Sequence, residues 1–166
     1  MQFGPPVLLG PDHVVDGFDC GRPALDRWII ERARANQDTG TSRTWVVVDD
    51  EETVVGYYAS ATASLLRRQA TSRVRRNQPE EIPAMLLGRL AVHRAHSKAG
   101  LGSALLKHFI IKSLEVSQIV GLRVLLVHAM DEQARTFYLH FGFEPSPMDD
   151  RTLMLLVADV VASGGG

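Results

Sequence analysis

Leu90-Ala91-Val92-His93-Arg94-Ala95-His96-Ser97-Lys98-Ala99-Gly100-Leu101-Gly102 is the stretch that decides how this chain is read. A strand ends, a turn with two glycines follows, and a long helix opens. The first four N–H groups of a helix have no partner inside it and sit at the positive end of its dipole. Glycine lets backbone come close to an anion, so a turn of this kind can cradle phosphates. It can equally be a tight strand-to-helix connection and nothing more, because a Gly-x-Gly alone does not choose.

Working outward, Met85–Val92 reads as an apolar strand, with Gly88 inside it as a bulge or a point of close approach. Leu106, Ile110 and Leu114 recur four apart and predict a helix from about 101 to 115. Leu122–His128 is nearly continuously apolar, as buried strands are. Ala134, Phe137, Tyr138 and Phe141 fall at i, i+3, i+4 and i+7, a short amphipathic helix that Gly142 stops as a left-handed cap. Thr152–Val157 reads as a last strand. Toward the N-terminus, residues 5–9 suggest a short strand. Leu25, Trp28, Ile29 and Ala33 mark the inner face of a helix over 24–36. Thr44–Val48 and Thr53–Ala59 form a hairpin around an acidic turn, and residues 66–82 show no clear period. No repeat or linker interrupts residues 1–166, so a single domain is expected, with Gly164-Gly165-Gly166 as a frayed tail. A hairpin followed by strand–helix–strand–helix–strand gives an α/β (α+β) fold on a central mixed sheet.

Composition is that of an ordinary globular protein, 45% apolar and 22% charged. No stretch approaches a membrane span, and Met1-Gln2-Phe3-Gly4-Pro5-Pro6 does not read as a signal peptide. Cys20 is the single cysteine, which leaves no internal disulfide and no multi-cysteine metal site. These features point to the cytoplasm and to chemistry without a metal. The net charge of −1 hides a local positive surface, since Arg67, Arg68, Arg73, Arg75 and Arg76 fall within ten residues. Phosphates bind such groups in bidentate fashion. An arginine-rich loop can also be merely solvated, or paired with Glu80 and Glu81. No stacking aromatics interleave it, so base-specific reading of a single strand is not expected there.

Ser97-Lys98-Ala99-Gly100-Leu101-Gly102 resembles the Gln/Arg-x-x-Gly-x-Gly/Ala signature of the GNAT superfamily, with Ser97 in place of the usual long side chain. Ala134-Arg135-Thr136-Phe137-Tyr138-Leu139-His140-Phe141-Gly142-Phe143 resembles that family's Ala-x-x-Phe-Tyr-x-x-x-Gly-Phe motif. The resemblance implies the GNAT acyl-CoA N-acyltransferase fold, a mixed sheet with helices on both faces. It implies that acetyl-CoA is the co-substrate, its pyrophosphate on Ser97, Lys98, Ala99, Gly100, Leu101, Gly102 and Ser103, with charge from Lys98 or Arg94. Its pantetheine arm would lie along Leu90, Ala91 and Val92, where the strand parts from its neighbour. Asp131, where many relatives have Asn, would touch the same arm. Tyr138 would be the general acid for the leaving thiolate, a phenol with pKa near 10 being protonated at neutral pH. By spacing alone Tyr138 is also a core residue. His93, His96, Glu80 and Glu81 are candidates for a general base, and none has a spacing that demands the role.

At closer range the chain resembles the TacT/AtaT group of GNAT toxins. The segments that carry this are Phe18-Asp19-Cys20, Leu25–Trp28, Asn36-Gln37, Thr41–Thr44, Val55–Tyr58, Ile82–Val92, Val127-His128-Ala129 and Phe143–Pro147. This implies acetylation of the α-amino group of aminoacyl-tRNA, an inhibition of translation, with the five arginines on tRNA phosphates. It also implies a ribbon-helix-helix antitoxin as partner and a homodimer. Two alternatives stay open on the residues: a GNAT enzyme for a small amine or a protein N-terminus, and a non-catalytic acetyl-CoA-binding module.

Overall fold

The hairpin expected near the N-terminus is the start of a seven-stranded sheet. A computed structural model describes residues 3–164; Met1 and Gln2 of the segment that does not read as a signal peptide, and Gly165 and Gly166 of the expected frayed tail, lie outside them. Packing divides the chain into two interleaved units. One holds the residues up to Ala61 with Gly88–Phe109, and the other holds Thr62–Leu87 with the residues from Ile110 onward.

In the first unit, β1 (Val7–Leu8) pairs antiparallel with β2 (Arg43–Val48), and β2 pairs antiparallel with β3 (Val54–Leu66), Trp45 opposite Tyr58. The sequence stopped β3 at Ala59, because the small residues Ala59–Ser64 carry no β-branched signal beyond Thr62. The helix read over 24–36 is two: α1 (Pro23–Glu31) and α2 (Ala33–Asp38) meet at Arg32, where φ is −120° and ψ −30°. Periodicity hid the break, since Ala33 stays fully buried on the same apolar face. Polar ties turn α2. Arg34 donates to the carbonyls of Gly10 and His13, and Gln37 bridges the Leu9 carbonyl (2.8 Å) and the Thr44 amide (3.0 Å). Trp28 stacks on Tyr57 at 5.9 Å, and the buried Tyr57 hydroxyl donates to the Leu25 carbonyl at 2.8 Å, closing α1 onto the sheet.

β4 (Glu81–Val92) belongs to the second unit up to Leu87, and there it runs parallel to β5 (Val124–His128), with Ala84 opposite Val124 and Leu87 opposite Val127. β7 (Thr152–Leu156) pairs antiparallel with β5 and with the two-residue β6 (Glu144–Pro145). The sheet order is β1-β2-β3-β4-β5-β7-β6, a mixed sheet as expected. β4 starts earlier than Met85 because Pro83, which has no N–H for a ladder, still uses its carbonyl to accept from the Arg123 amide at 3.0 Å. Leu65, Ile82, Val124, Leu126 and Met154 form this unit's core.

The stretch without a period contains a 3-10 turn, Arg67–Gln69, and a single-turn helix, α3 (Ser72–Arg75), whose Val74 amide is capped by the Thr71 hydroxyl. α4 (Leu101–Ser117) and α5 (Glu132–His140) stand where they were expected. α6 (Val157–Ala162) follows β7 with no loop, so its Val157 reads in sequence as the strand's last residue.

Candidate active site

The two-glycine turn expected to cradle phosphate is built within the first unit. After Val92, the His93 amide donates to the Val55 carbonyl (2.8 Å) and the Arg94 amide to the Asp19 carbonyl (2.9 Å). The Arg94 guanidinium then meets the Asp19 carboxylate at 2.6 Å, and that partner holds the carboxyl below its usual pKa. Arg94 is therefore engaged as an anchor of the turn, which leaves Lys98 as the cation near it. A 3-10 turn, Arg94–His96, leads to Gly100, whose φ of +76° is a conformation that side-chain-bearing residues avoid. Gly100 accepts the Ala104 amide at 3.1 Å and so opens α4.

The amides here fall into two groups. Those of Ser97 and Ala99 are spent on the carbonyls of Arg94 (3.4 Å) and His96 (3.1 Å). Those of Lys98, Gly100, Leu101, Gly102 and Ser103 have no partner among the described residues. Five donors at the positive end of a 17-residue helix suit a pyrophosphate. Ser97, Lys98, Ala99 and Gly100 are exposed, whereas the Leu101 side chain is buried and fastens the first turn of α4. Along β4, Ala91 packs into the core while Leu90 and Val92 are half-buried. A Cβ on Gly88 would meet the Ala59 carbonyl oxygen at 3.7 Å, ordinary contact, so no close approach of protein backbone calls for glycine there.

Tyr138 is built within the second unit by the end of α5. Gly142 takes φ +93°; the Phe143 amide donates to the Tyr138 carbonyl (3.2 Å) and the Gly142 amide to that of Leu139 (3.0 Å). This is a Schellman cap, and its hydrophobic contact is Phe143 against Tyr138, ring centroids 5.7 Å apart. Phe137 also packs edge-on against the Tyr138 ring, at 5.3 Å. The cap thus fixes the ring that carries the phenol. Tyr138 is 7% exposed, its hydroxyl has no hydrogen-bond partner among the described residues, and it is not one of the sealed, unsatisfied polar atoms. The oxygen accordingly reaches accessible space. Burial raises its pKa, which keeps the proton on at neutral pH. Asp131 has a structural duty the sequence did not disclose: it is the N-cap of α5, accepting from the Ala134 amide at 2.8 Å.

All five arginines of the basic segment are exposed. Arg73 forms a two-pronged pair with Asp159, both contacts 2.6 Å, and Arg123 donates to the carbonyls of Arg73 and Val74 at 3.0 Å, fastening α3 in place. Among the described residues no carboxylate comes within ion-pair range of Arg67, Arg68, Arg75 or Arg76, Glu80 and Glu81 included. Four cations on a braced segment remain for an external anion.

Of the base candidates, His93 accepts the Ala95 amide on Nδ1 at 3.1 Å, so its neutral ring carries the proton on Nε2. His96 packs edge-on against Phe3 at 5.2 Å, and Glu80 and Glu81 are solvent-facing. In the sequence His128 stands out only within a segment that resembles the toxin group, yet the structure bonds its ring to Thr152. Nothing in the local sequence announces a partner 24 residues away. Among the described residues no group of three or more His, Cys, Asp or Glu could hold a metal, and no helix is long and apolar enough to cross a membrane.

A family model described as an acetyltransferase (GNAT) domain matches residues 40–145. A tRNA-acetylating toxin of Mycobacterium tuberculosis (strain ATCC 25618 / H37Rv) is 46% identical over 160 residues, 96% of each chain. AtaT complexed with acetyl-methionyl-tRNAfMet superposes with a TM-score of 0.90 at 24% identity, over 98% of this chain and 99% of that one. A point mutant of the AtaT toxin, bound to the C-terminus of the antitoxin AtaR and acetyl-CoA, gives 0.83 at 24%, over 97% and 98%.

Proposed function

Because this chain belongs to the GNAT acetyltransferase family, we propose that it is a toxin that moves acetyl from acetyl-CoA to the α-amino group of aminoacyl-tRNA and so halts translation. The observation that carries the reading is the set of five amides, of Lys98 and of Gly100 to Ser103, that have no partner among the described residues, a donor set that suits a pyrophosphate. Acetyl-CoA supplies an activated thioester; the protein's own residues bind, orient and move protons. The backbone of Leu90, Ala91 and Val92 holds the pantetheine arm, and Asp131 serves it through the helix that it caps. Tyr138 donates its proton to the departing sulfur, which a buried, protonated phenol can do.

An α-amine has a pKa of about 7.7–8.0, so a useful share is neutral near pH 7, unlike lysine. Arg67, Arg68, Arg75 and Arg76 take the tRNA phosphates, an attraction that salt weakens steeply; Arg73 braces the segment. The family model crosses both packing units, and the M. tuberculosis relative matches over nearly the whole chain. Both support a reading of residues 1–166 as one catalytic domain. A ribbon-helix-helix antitoxin and a second copy of the chain are the partners proposed, and the cytoplasm, where charged tRNA is found, is the site of action. Support for the antitoxin comes from the AtaT–AtaR complex.

The test is incubation of the purified protein with labelled acetyl-CoA and total charged tRNA, then identification of the acetylated amino acid. Label on the α-amine of charged tRNA is expected. Label confined to uncharged tRNA, to protein or to small amines refutes the substrate assignment.

A further inference from the structure

We propose that His128 is the general base of the transfer, held by a hydrogen-bond chain through Thr152 to Asp149 in the tautomer that leaves Nε2 bare. The inference rests on the acetyl-transfer reading and supplies the proton acceptor which that reading lacks. Thr152 Oγ1 donates to Asp149 Oδ2 at 2.9 Å, and Asp149 Oδ1 accepts the Arg151 amide at 3.0 Å. These bonds hold the Asp149 carboxyl below its usual pKa, so it is ionised and can only accept. A hydroxyl has one hydrogen, and Asp149 takes it. The contact of 3.2 Å between Thr152 Oγ1 and His128 Nδ1 must then be donated by the ring. With the Nδ1 proton fixed, the neutral imidazole presents a lone pair on Nε2, which makes no hydrogen bond among the described residues. His93 has the opposite tautomer, its Nδ1 being the acceptor.

Placement agrees with the role. His128 is exposed and is the last residue of β5, which runs parallel to β4 and leads toward the helix of Tyr138. In open α/β sheets, ligands collect outside the carboxyl ends of parallel strands. The amine nitrogen bonds to the acetyl carbon, the carbon–sulfur bond breaks and its electron pair leaves on sulfur. Tyr138 gives sulfur a proton while His128 Nε2 takes one from nitrogen; solvent exchange then restores both side chains. The charged group that faces the ring is Asp149, and Arg151 stands beside that carboxylate in the loop before β7. Arg135 of α5 lies beside them, bonded to the Asp150 carbonyl at 2.7 Å.

The experiment compares wild type, His128→Ala and Thr152→Val on whichever amine the wild type acetylates, reading kcat/KM against pH and acetyl-CoA Kd. Wild type should fall on the acid side with a limiting slope of two, one ionisation from the amine and one from His128. His128→Ala should lose about 100-fold in rate, fall with a slope of one, keep its acetyl-CoA Kd and recover activity with added imidazole. Thr152→Val should lose rate less, with the slope of two retained. Equal rates and equal slopes in wild type and His128→Ala overturn the assignment. If the wild type acetylates a small amine but no charged tRNA, the substrate reading falls while the His128 comparison still decides; if it acetylates neither, both fall.

Discussion

Gly100→Ala separates two ways in which the phosphate turn can respond. At φ +76° a side-chain-bearing residue costs roughly 1–2 kcal/mol. An added Cβ would meet nothing within 4 Å, so crowding contributes no further cost. The strain must then appear in one of two places. If the turn keeps its shape in the free protein, stability drops by that amount, a fall in Tm of about 2–8 °C for a chain of this size. If the turn relaxes, Tm holds and the strain returns when acetyl-CoA binds, weakening its Kd by about 5- to 30-fold. Differential scanning calorimetry and isothermal titration on the same samples should give losses that together reach roughly 1–2 kcal/mol. Gly121→Ala is the control, because Gly121 has open space and no positive φ; it should leave both quantities near wild type. A Gly100→Ala protein with unchanged Tm and unchanged acetyl-CoA affinity would refute the idea that this left-handed glycine shapes the site.

Tyr138→Phe should lower turnover by about 100-fold while Tm stays within about 1 °C, because the hydroxyl has no hydrogen-bond partner among the described residues to lose; a large fall in Tm would return Tyr138 to a core role. Asp131→Ala should remove the α5 cap and cost about 1 kcal/mol, read as a Tm lower by about 2–4 °C, whereas Asp131→Asn should retain most of it. Replacing Arg67, Arg68, Arg75 and Arg76 singly with Ala should each reduce the salt dependence of tRNA binding by about one unit of log–log slope. Arg73→Ala should alter that slope less, because Asp159 already occupies its guanidinium; an equal effect would place Arg73 on phosphate.

The turn and α4 were legible because an apolar strand ends, a turn with two glycines follows, and a four-residue apolar spacing then begins. The Tyr138 helix was legible down to its glycine cap. The break at Arg32 was not, since no glycine or proline marks it and the apolar face runs through to Ala33. β4 was read short because Pro83 argues against a strand, and only tertiary context supplies its carbonyl with the Arg123 amide. The site shows the same division. Local motifs point to residues 97–103 and Tyr138, but not to the loss of the Ser97 and Ala99 amides to the turn itself. The Arg94–Asp19 and Arg73–Asp159 pairs join residues 75 and 86 positions apart, and the tautomer of His128 depends on a carboxylate beyond its own hydrogen-bond partner. Side-chain partners at such separations leave no periodic trace.

The most direct measurement is an amide NMR titration of the 15N-labelled protein with acetyl-CoA. The unpartnered N–H groups of Lys98, Gly100, Leu101, Gly102 and Ser103 should move downfield on binding, with Ser97 and Ala99 changing little. Binding that leaves those five resonances in place, or no binding at all, would contradict the claim that this helix opening grips the cofactor.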